Sequence, residues 1–406
     1  MELERAEDQA TSLEAWECCS ELAKAPNILE RFAAELAQSG VAGESRLAKL
    51  LYLAVTSRLL KRPVSVALKG PSSGGKSHVV ERVLSYFPKN AYYALTAMSD
   101  RTLAYSEEAI KNRFLVVYEA AGMSGEFATY PMRSLLSERR VRYESVEKTS
   151  EDTKPRLIER EGPTGLIVTT TAVKLHPENE TWLLFLTVTD TQDQTKVVMA
   201  ALAEEAGEAG QDFEPWHALQ IWLERAEHCV WIPYAKKLAE LIPPVAVRLR
   251  RDLGALLNLI RAHALLHQAT RKRDGEGRIV GTIEDYAAVR ELVVDLVGEG
   301  VETTVPITVR ETVEAVKRMR KDSNGEPVTV AELVRRLELD RSAVSRRPRN
   351  AKDRGYLRDL EDNPRKPSRL IPGDDLPHDV QILPKPEDVQ ASVKECASGS
   401  ARPDGA

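Results

Sequence analysis

Four cysteines in 406 residues are too few for a disulfide framework, and their placement excludes more. Cys18 and Cys19 are neighbours, Cys229 and Cys396 stand alone, and no C-x-x-C pair exists to grip zinc or to run thiol exchange. They read as free thiols of a reducing compartment. No apolar run approaches the length of a membrane span, and the N-terminal MELERAEDQ is too acidic for a secretory signal, so the expected setting is cytoplasmic, with no membrane partner. Positive charge is also in short supply: 57 Lys and Arg against 62 Asp and Glu leave a net charge of −5. Any grip on nucleic acid must therefore be local. The length predicts two or three domains.

What is present is concentrated first in Gly70–Ser77, GPSSGGKS, which fits the phosphate-binding pattern G-x-x-x-x-G-K-[ST]. Pro63–Lys69 before it is short and rich in valine, as a buried strand is. Val79, Val80, Val83 and Leu84 after it recur at helical spacing. Strand, glycine loop and helix is the order a triphosphate needs. Gly70, Gly74 and Gly75 let the backbone amides turn inward, Lys76 places a point charge at the β/γ oxygens, and the Ser77 hydroxyl can ligate magnesium. The whole stretch Gly70, Pro71, Ser72, Ser73, Gly74, Gly75, Lys76, Ser77 and His78 is the expected nucleotide cradle.

Upstream, Asn27 can cap a helix in which Ile28, Phe32 and Leu36 share a face and which Gly40 ends; Gly43–Leu60 gives a second helix. Downstream, Ala91–Met98 is a strand candidate, Asp100–Ile110 a short helix, and Phe114–Glu119 an apolar strand closing on a carboxylate. An acid at that point can hold magnesium or polarise the attacking water. Tyr118 stands where an aspartate is expected, so Glu119 is the one acid available there. Pro131–Glu138 reads as a helix. Arg140–Lys148 and Lys154–Glu161 are alternating runs joined by TSEDT, a β-hairpin signal with Lys148 and Lys154 near its tip. Gly165–Thr171 is a buried strand ending in three threonines, Leu183–Thr189 a fifth strand, and Gln192–Glu205 a helix. Five strands alternating with helices predict an α/β fold with a parallel sheet.

From Trp216 to Val297 the pattern is helical only, and Ala246–Gln268 carries Arg248, Arg250 and Arg251 near its start. Thr282 can cap the helix that runs to Val297. His217, His228 and Cys229 lack a fourth group at ligand spacing, and they read as ordinary helix residues. Trp216, Trp222 and Trp231 read as core. Thr308–Arg320, a short strand at Pro327–Val330, Ala331–Leu337, Arg341–Leu357 and a charged tongue follow in the order of a winged helix-turn-helix. Across Arg341–Arg369 ten Lys or Arg face four acids, which is the local basic patch that DNA binding requires in this acidic chain. Ser345, Arg346, Arg349 and Asn350 can face a major groove, with Arg365 and Lys366 reaching phosphates from the tongue. Pro348 should kink or shorten its helix. Beyond Pro372 the composition turns to Pro, Gly, Asp and Ser, and a disordered end is expected.

The segments VALKGPSSGGKS, KNRFLVVYEAAGM, LLSERRVRYESVEKT…RLIEREGPTGLIVTTT and AVRLRRDLGALLNLIRAHALL, in this order, resemble the AAA+ ATPases. Within them the resemblance is to the MCM-like helicases and to the primase-associated helicases of phages and mobile elements. It covers about Gly43–Val297. It implies an AAA+ type five-stranded parallel sheet with a pre-sensor-1 β-hairpin, a helical lid and a C-terminal winged helix. The implied segments are 1–62 N-terminal helices, 63–206 AAA+ core, 207–300 lid, 301–385 winged helix-turn-helix and 386–406 disordered tail.

The resemblance also implies ATP and Mg2+ at Lys76 and Ser77, and Glu119 orienting the hydrolytic water and sharing the metal. Thr170 or Thr171 would be the first sensor, Arg251 or Arg250 the second. Lys148 or Lys154 would line a pore, and the assembly would be a homo-oligomer, in such families usually a hexamer. The function it implies is an ATP-dependent DNA translocase or helicase acting in replication of a mobile element or phage. The family draws a trans-acting arginine from the segment after the threonine strand, but residues 173–183 hold none: Trp182 occupies the place and Lys174 is the only cation. Two other readings therefore stay open, an ATP-regulated DNA-binding regulator or loader, and an interaction protein that keeps nucleotide as a structural ligand.

Overall fold

The computed structural model describes residues 2–41, 43–72, 74–96, 106, 108–118, 134–136, 138, 140–148, 153–171, 183–189, 191–203, 211–246, 248–302, 305–337, 343–361, 363, 366–376 and 381–399. The chain forms two compact units. Met1–Lys237, Arg251–Val293 and Lys385–Ala406 make the first; Leu238–Arg250 and Val294–Pro384 make the second. The N-terminal helices, the expected nucleotide core and most of the expected lid thus share one unit.

The first unit begins with three helices, α1 (Glu2–Ala23), α2 (Ile28–Gln38) and α3 (Ser45–Thr56). The i, i+4 spacing of Ile28, Phe32 and Leu36 puts one apolar stripe on α2, and all three are buried. Asn27 stands at the cap of α2 but its side chain makes no capping bond; its carbonyl accepts from the Glu30 and Arg31 amides at 3.1 Å. Gly40 follows at φ +86, a conformation that ends the helix without a side-chain penalty. Phe32 meets Tyr52 at 4.5 Å and Tyr86 at 4.8 Å between ring centroids, and Trp216 lies edge-on to all three. Such ring pairs add about 0.5–1.5 kcal/mol each beyond area burial. This cluster ties the N-terminal helices to the segment that follows the phosphate loop.

The sheet comes next in the chain: β1 (Val66–Lys69), helix α4 (Lys76–Leu84), β2 (Tyr92–Leu95), β3 (Arg113–Val117), β4 (Arg140–Lys148), β5 (Thr153–Glu161), β6 (Thr164–Thr170), β7 (Leu184–Thr187) and helix α5 (Gln192–Ala203). Five of these strands form one parallel sheet in the order β2-β3-β6-β1-β7. β1 is central, with Val66–Lys69 opposite Ile167–Thr170 on one side and Leu184–Thr187 on the other. Because both faces are covered, β1, β3 and β6 are runs of buried residues without alternation. Gly165 is needed where it sits: it pairs with Phe114, and a Cβ there would fall 2.2 Å from that ring. β4 and β5 form a separate antiparallel hairpin of nine rungs, from Arg140↔Glu161 to Lys148↔Thr153, over the two runs the alternation predicts. Most of the helix expected at Asp100–Ile110 lies outside the described residues, while 134–136 are helical as expected.

Helices α6 (Glu214–Arg225), α7 (Ala235–Leu241), α8 (Leu249–Leu266) and α9 (Ile283–Glu302) follow. The expectation of helices only is corrected here, since β8 (Val230–Trp231) pairs in parallel with β9 (Ile279–Val280). Two residues per strand carry no alternation to read. Trp216 is buried with its Nε1 donating to Glu35 at 2.7 Å, Trp222 packs on Trp16 at 4.9 Å, and Trp231 is exposed with Arg278 over its ring.

In the second unit, α10 (Ile307–Asp322), α11 (Val330–Leu337) and α12 (Ala343–Asp353) pack with the antiparallel ribbon β10 (Leu357–Asp359) and β11 (Leu370–Pro372). Val309, Val313, Val316, Leu333, Ala351 and Leu370 form its core. The strand expected at Pro327–Val330 is reduced to one bridge, Val328 to Leu370. Pro348 lies inside α12, which ends at Asp353, before Gly355 at φ +81 turns the chain into β10. The disordered tail expected over 386–406 is corrected for 386–399, since Pro386–Gly399 is a helix, α13, with Val389 fully buried, while 400–406 lie outside the described residues. Proline in the first turn and Glu387 and Asp388 beside it suit a helix start, and they outweigh the loop-like composition around them. No described helix is long and apolar enough to cross a membrane.

Candidate phosphate-binding site

The loop between β1 and α4 is built by its glycines. Gly75 occupies the cap of α4 at φ +75, ψ 4, in the left-handed region, which costs a residue with a side chain about 1–2 kcal/mol. Gly74 donates to the Pro71 carbonyl at 3.2 Å, and a Cβ on it would come within 3.1 Å of that same oxygen. Gly70 packs against Val188, whose amide donates to the Lys69 carbonyl at 3.1 Å and so ties the loop's entry to the end of β7. Pro71 and Ser72 are exposed, Ser77 is half-buried in the first turn of α4, and Ser73 lies outside the described residues.

Lys76 is 8 % exposed and donates from Nζ to the Gly70 carbonyl at 3.0 Å and to the Pro71 carbonyl at 2.6 Å. Both partners are backbone dipoles. The ammonium is thus folded back onto the entry of its own loop. His78 faces outward, and partial burial, followed by the nearby Arg82, pushes its imidazole below the usual range.

The neighbouring strands bring two more groups to this edge. Thr170 is buried on the rung opposite Lys69, one residue before the loop, and Thr171 after it is exposed. Tyr118 follows β3, its amide donating to Leu95 at 3.1 Å. Burial, then Glu81 and Tyr92, push its phenol up to about 12, so it is a neutral hydroxyl at pH 7 and does not replace an acid. Glu119, Trp182 and Lys174 lie outside the described residues. Arg251 is on the exposed side of α8 in the same unit as the loop.

Lys148 and Lys154 occupy the last two rungs of the hairpin, paired with Thr153 and Glu147. In the second unit Arg346, Arg349 and Asn350 are exposed on α12, Ser345 is in the same helix, and Lys366 is exposed between β10 and β11. Arg365 lies outside the described residues.

Sequence reading passed over Glu44 and Phe185. Glu44 precedes α3 and is 6 % exposed; burial raises its carboxyl's pKa, while the Thr189 amide donating at 2.8 Å works the other way. Phe185 carries the Lys69 ammonium 3.9 Å over its ring. A lone glutamate before a helix gives no signal of burial, since the Thr189 amide that it accepts from is 145 residues away.

No family description matches the sequence, and no curated protein does. Among solved structures, a full-length MCM homolog from Methanopyrus kandleri is similar to this chain with a TM-score of 0.46 and 16% identity, over 70% of this chain and 61% of that one. The chain thus matches less than two thirds of that protein's length.

Proposed function

We propose that this chain is an AAA+ type ATPase that couples nucleotide binding to DNA, in the manner of a helicase-like translocase. The observation that carries the proposal is the Gly70–Ser77 loop, with Gly75 at positive φ and the Lys76 ammonium held by two backbone carbonyls at the end of a central parallel strand. Triphosphate oxygens are stronger partners for that ammonium than neutral carbonyls are, so nucleotide binding exchanges two dipole contacts for charge-assisted ones. The loop amides and the N-terminus of α4 add to the same anion site. Ser77, with Glu119, would hold Mg2+, which supplies neutralisation of charge between the β- and γ-phosphates. Thr170 is poised to contact the γ-phosphate or its water, and Arg251 is the proposed second sensor.

DNA is the proposed partner on two grounds. The hairpin β4–β5 stands immediately before β6 and carries Lys148 and Lys154 at its tip. The second unit combines three helices and a ribbon in the winged-helix order, with Arg346, Arg349 and Asn350 exposed on α12 and Lys366 on the ribbon loop. A ring of identical subunits, proposed as a hexamer, is the assembly in which hairpin tips meet a strand.

A regulator or loader that uses ATP as a switch is the second reading, and the neutral Tyr118 in the place of an acid favours it. One assay separates them: ATP turnover and strand displacement on a forked duplex by wild type, Lys76→Ala and the double variant Lys148→Ala/Lys154→Ala. The motor reading expects displacement that both variants lose, with basal turnover kept only in the hairpin variant. DNA binding and turnover without displacement in wild type would select the switch. Undiminished ATP binding by Lys76→Ala would remove the site altogether.

A further inference from the structure

The helical part of the first unit holds a polar cluster that the nucleotide site does not use. His263 and His267 stand one turn apart at α8 and its end, their rings stacked at 4.4 Å, and Asp285 reaches them from the first turn of α9. All three are buried, and their ligand-capable atoms lie within 4.8 Å of one another. H-x-x-x-H on a helix puts two imidazoles on one side, the spacing by which helices chelate divalent metals.

Hydrogen bonding fixes what each ring offers. Asp285 accepts from the Arg271 guanidinium and from the Thr282 amide at 2.7 Å. Both partners are obligate donors and one is a guanidinium, so Asp285 stands there as a carboxylate. It can therefore only accept, and the His263 Nδ1 at 2.7 Å must carry the proton. Likewise the His267 Nδ1 faces the His263 carbonyl at 3.0 Å and must donate. A neutral ring that donates from Nδ1 keeps its lone pair on Nε2. For His267 that atom is buried and has no hydrogen-bond partner, in a residue only 2 % exposed. A stranded lone pair costs about 1–3 kcal/mol unless something fills it. Two histidines whose Nδ1–H groups are taken by a carboxylate and a backbone carbonyl are what the outer shell of a metal site looks like.

We propose that His263 and His267 bind a divalent transition-metal ion of the zinc class through their Nε2 atoms, with Asp285 as the carboxylate that orients the His263 ring. Asp285 is already engaged by Arg271 and Thr282, so it is a positioning residue and water completes the coordination. Zn–N bonds of about 2.0–2.1 Å require both rings to turn out of their stack so that the two Nε2 lone pairs converge on one ion. The ion would staple the end of α8. It does not depend on the nucleotide reading.

The test is zinc binding by the full chain after chelator treatment, read by competition with a chromophoric chelator, with Zn2+ itself as the probe. Wild type should bind one more Zn2+ than His263→Gln/His267→Gln, and Asp285→Asn should weaken that ion about 10- to 100-fold. Since the variants can lose structure, crystals of wild type grown with Zn2+ provide the second measurement. An anomalous peak between the two Nε2 atoms supports the site. No peak there, an ordered water in its place, or equal zinc uptake by wild type and a folded double variant overturns it.

Discussion

Two cations in the first unit, one half-buried and one buried, are treated in opposite ways. Arg271 sits beside Asp285, whose two oxygens also take His263 and the cap of α9, so its charge is matched where it lies. Lys76 is buried more deeply, yet its partners among the described residues are the carbonyls of Gly70 and Pro71. Carbonyl dipoles satisfy the ammonium's hydrogens without cancelling its charge. The first cation is matched within the fold, and the second, among the described residues, is held by dipoles alone, as the proposed nucleotide site requires. That difference is what would separate a group that holds the fold from one proposed to meet a ligand, and it can be broken from either side.

The largest effect is expected at the matched cation. Asp285→Ala leaves the half-buried Arg271 without its counter-ion and uncaps α9, so metal-free protein should lose about 3–5 kcal/mol in urea unfolding. A loss under about 1 kcal/mol would mean the pair is not what holds these helices. Next comes the ligand's own contribution. Mg-ATP at a hundredfold excess over its Kd should raise unfolding stability by about 2.7 kcal/mol in wild type and by nothing measurable in Lys76→Ala. An equal rise in both would assign binding elsewhere.

Smaller still is Gly75→Ala. Space for the methyl is open, with nothing within 4 Å, so the cost is that of the left-handed backbone alone, about 1–2 kcal/mol by thermal melting. A larger loss would reveal contacts the loop does not show. Smallest is Lys76→Ala without nucleotide. It removes an unmatched buried charge along with two hydrogen bonds, and the two effects should cancel to within about 1 kcal/mol. A cost like that of Asp285→Ala would show that Lys76 is structural after all.

Much of the architecture was legible because its periods are strong. The hairpin was read to within a residue, since nine-residue alternating runs bracket a polar turn. The strands β1, β3 and β6 and the helices α10 and α11 were found because runs buried on both faces and amphipathic stripes leave plain marks. The pair β8–β9 and the helix α13 were missed for the opposite reason. One is too short for any period, and the other begins in composition that resembles a loop. At the site, the loop residues were recognisable as a set. Glu44 and Phe185 were not, because their partners Thr189 and Lys69 lie far away in the chain, and the orientation of Lys76 was not, because it is set by the fold of the loop rather than by its residue types.

By itself the sequence determined that a glycine-rich turn must join a buried strand to a helix, since Gly70, Gly74 and Gly75 have no better use next to VALK and a valine-striped helix. It also determined that basic charge gathers near the end of an acidic chain. Only the tertiary structure decided that β1 runs between β6 and β7, which sets Thr170 beside the loop, and that Asp285 rather than water satisfies Arg271 and His263. The physical reason is range. Local propensity and periodicity act over a few residues, whereas strand order and ion pairing depend on groups that meet only once the chain has closed on itself.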